Sequence, residues 1–149
     1  MGRVIGIARH AAPYALMERL DEVAISVEGG LQGDFRGTHP RRSVTVLTQT
    51  GWDEACREVG RDVDWTARRA NLLVDGLEPL DLAAGRIRIG DVVLEIGGET
   101  RPCERMDEAC AGLLAALVPG RRAGSYCRVL AGGTVRVGDP VTVEPAWRL

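Results

Sequence analysis

Short alternating or β-branched apolar runs dominate the chain and predict a protein built mainly of strands. Residues 3–8 carry Val4, Ile5 and Ile7, residues 23–27 are similar, and residues 43–48 (Ser-Val-Thr-Val-Leu-Thr) have the composition and period of a half-buried strand. Residues 86–89 and 92–96 flank Gly90-Asp91 and read as a hairpin, with the glycine supplying the positive φ of a tight turn. Residues 134–137 and 140–143 repeat this design around Gly138-Asp139, so a second hairpin is expected, with Pro140 placed where the ladder needs no donor. Strands joined this way predict a closed or nearly closed antiparallel barrel.

Two stretches follow the helical period instead. Thr50 is the expected cap of a helix over residues 51–59, with Asp53 as capping-box partner, Trp52, Ala55, Cys56 and Val59 on one face, and Gly60 as the stop. A second helix is expected after Pro102, where Met106, Ala109, Cys110, Leu113, Leu114 and Leu117 share one stripe that ends near Pro119-Gly120. Cys56 and Cys110 lie on these stripes and are read as core residues. No connector is long or biased enough to part domains, so residues 1–149 are expected to form one.

Composition narrows the function. With 149 residues and 45% hydrophobic content the chain can build a single core. The longest uncharged stretch, residues 109–120, falls short of the roughly 18 apolar residues of a membrane span. The start, Met1-Gly2-Arg3-Val4-Ile5-Gly6, reads as neither a secretion nor a myristoylation signal, and a cytoplasmic protein is expected. All 19 basic residues are arginine, which excludes a lysine Schiff base, and with it lysine-linked pyridoxal phosphate, as well as a P-loop. A net charge of −2 and a pI near 5.7 oppose nucleic-acid binding. Two windows nevertheless lack acids: residues 35–52, with Arg36, His39, Arg41 and Arg42, and residues 109–138, with Arg121, Arg122, Arg128 and Arg136. They point either to a local anion site or to solvated loop arginines.

Cys56, Cys103, Cys110 and Cys127 show no C-x2-C or C-x4-C spacing, so free thiols are expected rather than a structural zinc site. Cys103 stands apart. It follows Arg101-Pro102 at an expected helix start with Arg105 nearby, electropositive surroundings that suit a nucleophile or soft metal ligand, although Glu104 and Asp107 act against them. His39, beside Arg41 and Arg42 in a turn-rich stretch, is a candidate anion contact or a surface residue without a role. Arg69 and Asn71 lead into the apolar run Leu72-Leu73-Val74; the pair suits recognition of an anion and a polar heterocycle, or simply satisfies turn backbone. The chain has no Ser-His-Asp order and no glycine-rich nucleotide loop.

Taken in order, Gly30-Leu31-Gln32-Gly33-Asp34, Arg42-Ser43-Val44-Thr45-Val46-Leu47, Arg69-Ala70-Asn71-Leu72-Leu73-Val74, Ile89-Gly90-Asp91-Val92, Arg101-Pro102-Cys103 and Gly132-Gly133-Thr134-Val135-Arg136-Val137-Gly138-Asp139 resemble the MOSC domain, named for the molybdenum cofactor sulfurase C-terminus, over residues 4–143. The resemblance implies a mainly β fold, a MOSC-type β-barrel with a few covering helices. It implies that Cys103, in the family's Pro-Cys motif, carries a persulfide sulfur or ligates molybdenum. It also implies that Arg69 and Asn71 contact the pterin; for such a cofactor some of Arg41, Arg42 and Arg128 are expected on the phosphate, with Arg101 a further cofactor-binding candidate. In the family a histidine closely follows the Gly-Asp segment, whereas His39 comes later after Asp34. The chain shows neither the companion β-barrel of the larger amidoxime reductases nor a ferredoxin-type cysteine cluster, so electrons would come from a separate redox partner. The expected function is thus molybdenum cofactor binding, for reduction of N-hydroxylated compounds or for cofactor delivery. One alternative is a sulfur carrier charged on Cys103 by a cysteine desulfurase. The other is a non-catalytic interaction barrel in which Cys103 is structural.

Overall fold

Along β1 (Gly2–Arg9) burial alternates as a strand facing one core requires, until a bulge between Val4 and Gly6 breaks the alternation. The computed structural model describes residues 1–148. After β1 come β2 (Glu18–Arg19), β3 (Glu22–Ser26), β4 (Gly30–Leu31), β5 (Val44–Thr48), α1 (Gln49–Val59) and β6 (Leu72–Asp75). The hairpin strands β7 (Arg86–Ile89) and β8 (Val92–Glu99) are followed by α2 (Arg105–Ala109), α3 (Leu113–Leu117), β9 (Ser125–Ala131), β10 (Gly133–Arg136) and β11 (Pro140–Glu144).

Seven strands close a barrel in the order β1-β11-β7-β8-β9-β5-β6, sealed back onto β1. The closing pairs are Gly2 with Val141 and Arg3 with Pro140 at one seam, and Ile7 with Leu72 at the other. Contrary to the expectation from its hairpins, the barrel is not antiparallel throughout: β5 and β6 run parallel, because the crossover that contains α1 returns the chain in the same direction. A small sheet, β10-β3-β4, stands beside the barrel. One apolar cluster fills the barrel around Val4, Val46, Leu72, Ile87, Leu94 and Cys127. A second, around Leu47, Trp52, Trp65, Met106, Leu113 and Leu117, packs the helices on its outside. The expected mainly β barrel with covering helices is therefore the observed fold, and no helix among the described residues is long and apolar enough to cross a membrane.

Three local expectations are corrected. The hairpin over residues 86–96 forms, but the one at the tail does not: β10 pairs with β3, whereas β11 pairs with β7 and β1. The Gly138-Asp139 turn is present, with the Asp139 N–H donating to Arg136 at 3.0 Å, yet the Gly138 N–H donates to the Val4 carbonyl at 2.7 Å and directs the chain to a different sheet. The cap of α1 is Thr48, whose Oγ1 accepts from the Gly51 N–H at 3.2 Å, while the Thr50 hydroxyl donates to the Leu77 carbonyl. The second helix is two helices. Cys110 is extended and Gly112 takes φ +88, although Met106, Cys110, Leu113 and Leu117 remain buried as the stripe required.

Candidate functional site

At one end of the barrel, the end of β1, the loop before β5, the entry to β6 and the segment joining β8 to α2 surround a cavity of about 440 Å³. Six arginines line it, Arg36, Arg42, Arg68, Arg69, Arg101 and Arg105, together with Cys103 and Asn71; Asp34 is the only carboxylate in the lining. None of these six arginines forms an ion pair among the described residues, although Arg9, Arg19, Arg88, Arg121, Arg122, Arg128 and Arg136 all do. Unneutralised guanidinium groups in a concave, partly desolvated space attract an anion far more strongly than they would on an open surface.

The chain fixes several of these groups itself. Arg68 ends a 3-10 turn (Trp65–Arg68), and its Nε and Nη2 donate to the carbonyls of Ala123 and Thr100 at 2.8 and 3.0 Å. Burial lowers its pKa, and the nearby Cys103 opposes that shift. Arg69 adopts the left-handed conformation at φ 63, and its Nη2 donates to Ala15 and Pro13 carbonyls at 2.7 and 3.1 Å. Arg105 joins this latch by donating to the Pro13 carbonyl at 3.0 Å and standing 4.7 Å over the exposed Tyr14 ring. Two guanidinium groups thus hold the 11–16 loop across one side of the cavity. Asn71, 3% exposed, accepts from the Thr45 N–H and hydroxyl at 3.0 and 3.2 Å and donates to the Ala8 carbonyl at 3.2 Å, tying three strands together where they meet the cavity.

His10 closes the cavity behind them and is 8% exposed. Its backbone N–H donates to Asp34 Oδ1 at 3.1 Å, but its Nδ1 lies 3.6 Å from that oxygen and has no hydrogen-bond partner. Burial lowers the His10 pKa, Asp34 raises it, and Arg69, Arg36 and Arg105 lower it further, so the imidazole is neutral near pH 7. The two cysteines read as core, Cys56 and Cys110, are buried, and so is Cys127 inside the barrel, where desolvation pushes its thiol up to about 12; burial raises Cys56 as well. Cys103 is the exposed one. It precedes a helix of only five residues, so its electropositive surroundings come from the cavity arginines rather than from a helix dipole.

Of the residues singled out from the sequence, the fold gathers Cys103, Arg42, Arg69, Asn71 and Arg101 around this one cavity. Arg41 and Arg128 are not in its lining; Arg128 pairs with Glu95 across the barrel wall at 2.7 Å. His39 is also outside it, and its Nδ1 accepts the N–H groups of Arg41 and Arg42, both at 3.1 Å, as a turn cap. Sequence reasoning missed His10, Tyr14, Arg68 and Thr100. Arg68 could have been found as the neighbour of Arg69, whereas nothing in the spacing connects His10 to Asp34. Among the described residues no three His, Cys, Asp or Glu side chains gather as a metal site, so a metal at Cys103 would take at most two such ligands from the chain.

A family model described as the MOSC domain matches residues 32–142. No curated protein matches the chain. Among solved structures, the YuaD protein from Bacillus subtilis is similar with a TM-score of 0.81 at 19% identity, covering 95% of this chain and 94% of that one. YiiM from Geobacillus stearothermophilus is similar with a TM-score of 0.77 at 17% identity, covering 97% of this chain and 75% of that one. YiiM from Escherichia coli is similar with a TM-score of 0.72 at 19% identity, covering 95% and 69%. At these identities the likeness is one of fold.

Proposed function

The chain belongs to the MOSC domain family, whose members bind the molybdenum cofactor, and from that premise we propose that its arginine-lined cavity holds this cofactor with Cys103 Sγ as the protein ligand to molybdenum. The observation that carries the reading is that the one exposed cysteine shares a cavity with six arginines, none of them in an ion pair among the described residues, against the single carboxylate of Asp34. The group is a pterin dithiolene bearing a phosphate, and the donor set suits it: a soft thiolate for the metal, guanidinium groups for the anion, and hydrogen-bonding side chains for the heterocycle. Arg42 and Arg101, whose side chains donate to no atom among the described residues, serve the phosphate. Arg69 and Asn71 wall the pterin side, and the unpartnered Nδ1 of His10 offers a further hydrogen bond.

Bound there, the metal would supply two-electron redox chemistry. For an N-hydroxylated substrate the balance is R–NHOH + 2e⁻ + 2H⁺ → R–NH₂ + H₂O, with electrons from a separate redox protein. The chain's own work is to bind the anion, to expose the Cys103 thiol to the metal and to leave one side of the cavity open. Delivery of the cofactor to another protein would use the same contacts.

A second reading rests on the exposure of Cys103 beside Arg68: the thiolate attacks the persulfide of a cysteine desulfurase, takes its terminal sulfur as Cys103–S–S⁻ and releases the desulfurase thiolate. Elemental analysis of protein from a cofactor-competent host separates the two. Molybdenum and phosphorus at about one each per chain, with the molybdenum lost in Cys103→Ser, support cofactor binding. Protein without molybdenum that gains one sulfur on Cys103 from desulfurase and cysteine refutes it in favour of the carrier.

A further inference from the structure

Arg42, at the cavity lip, is the one lining arginine supported by an aromatic ring of the barrel wall. Tyr126 on β9 is in register with Gly98 of β8, where the pairing shifts between Ile96 and Gly98. A Cβ at Gly97 would come within 2.5 Å of Tyr126 Cε1, and a Cβ at Gly98 within 2.7 Å of its Oη, so two successive glycines make room for the ring. Over that ring stands the Arg42 guanidinium, its carbon 4.4 Å from the centroid. The backbone below is held too, since His39 Nδ1 accepts the Arg42 N–H at 3.1 Å.

The other fixed arginines of the cavity direct donors into the chain: Arg68 to Ala123 and Thr100, Arg69 to Ala15 and Pro13, and Arg105 to Pro13. Arg42 is restrained without such a cost to its donors, because an aromatic face orients a guanidinium while leaving its charge and its N–H groups available. Ordering a long side chain before the ligand arrives reduces the entropy lost on binding.

We propose that Tyr126, seated on Gly97 and Gly98, is a positioning residue that holds the Arg42 guanidinium for the phosphate group of the cavity's ligand. The source of that phosphate rests on the cofactor reading above, but the device itself requires only a phosphate group.

Inorganic phosphate is the probe, titrated into the full-length, metal-free chain and followed by calorimetry and by the Arg42 Nε–Hε resonance. Arg42→Ala should weaken binding about tenfold or more. Tyr126→Leu should weaken it about 2- to 5-fold, while Tyr126→Phe keeps it. In the Arg42→Ala background Tyr126→Leu should have no further effect, which a purely structural role of the tyrosine would not produce. In the wild type, whatever the variants do, the Arg42 Nε order parameter should exceed that of Arg57, an exposed arginine of α1 with no ring beneath it. Wild-type affinity in a folded Tyr126→Leu, an equal loss in the Arg42→Ala background, equal order parameters, or no phosphate binding by the wild type would each overturn the proposal. The cofactor reading has its own test in metal content, so the two results are read separately.

Discussion

Asn71 and Arg69 serve as wall and as strut in the same side chains. Truncating Asn71 leaves the Thr45 N–H and the Ala8 carbonyl unpaired where three strands meet, so Asn71→Ala should cost about 2–4 kcal/mol of stability in chemical denaturation; a loss below about 0.5 kcal/mol would contradict the strut role. His10 gives a pH signature. Burial holds its pKa below the ordinary histidine value of 6.5, so the folded chain refuses a proton that the unfolded chain accepts as pH falls through that value. Stability from this group is complete above the unfolded pKa and declines as pH drops below it. Urea midpoints at about pH 7.5 and about pH 5.5 should therefore differ less in His10→Asn than in the wild type; equal differences would show that His10 is not the source. Cys103 was legible as the odd cysteine because it lies off both apolar stripes and beside Arg101-Pro102. His10 was not, because only the fold brings it to Asp34.

Among elements, the broken helix shows where pattern and geometry part. Met106, Cys110, Leu113 and Leu117 of the apolar stripe stay buried on both sides of the break at Cys110, although Ala109 is exposed and Leu114 half-buried, so the pattern of buried positions could not reveal the break. Gly112 decides it with φ +88, a conformation that strains any residue bearing a Cβ. A continuous helix would make Gly112→Ala stabilising by about 1 kcal/mol on propensity. The observed geometry makes it destabilising by about 1–2 kcal/mol, so the sign of the shift in melting temperature distinguishes the two. The latch on the 11–16 loop belongs to this scale as well. Arg69→Ala removes two hydrogen bonds to that loop, and amide exchange of its N–H groups should speed up while the barrel strands keep their protection. Unaltered loop exchange would show that Arg105 and packing suffice. The hairpin over residues 86–96 was readable because its pairing is local. The tail strands were misread because their partners, β3 on one side and β7 and β1 on the other, come from distant parts of the chain.

For the molecule as a whole, period-two patterning and turn chemistry made the barrel legible. Closure through β11 and β1 was expected only in outline, since no local signal sets that register. Charge is segregated by the fold: a chain of net charge −2 gathers six unpaired arginines around one cavity and pairs seven others with carboxylates elsewhere among the described residues. The acid-free window before β5 foreshadowed this by contributing Arg36 and Arg42, while the window over residues 109–138 contributes none of the lining arginines. In the proposed complex Cys103 ligates molybdenum inside that cavity. X-ray absorption at the molybdenum edge, on protein purified from a cofactor-competent host, tests it most directly. A molybdenum centre is expected in the wild type and, in whatever metal Cys103→Ser retains, one sulfur neighbour fewer. An identical sulfur shell in the two proteins, or no molybdenum in the wild type, would contradict it.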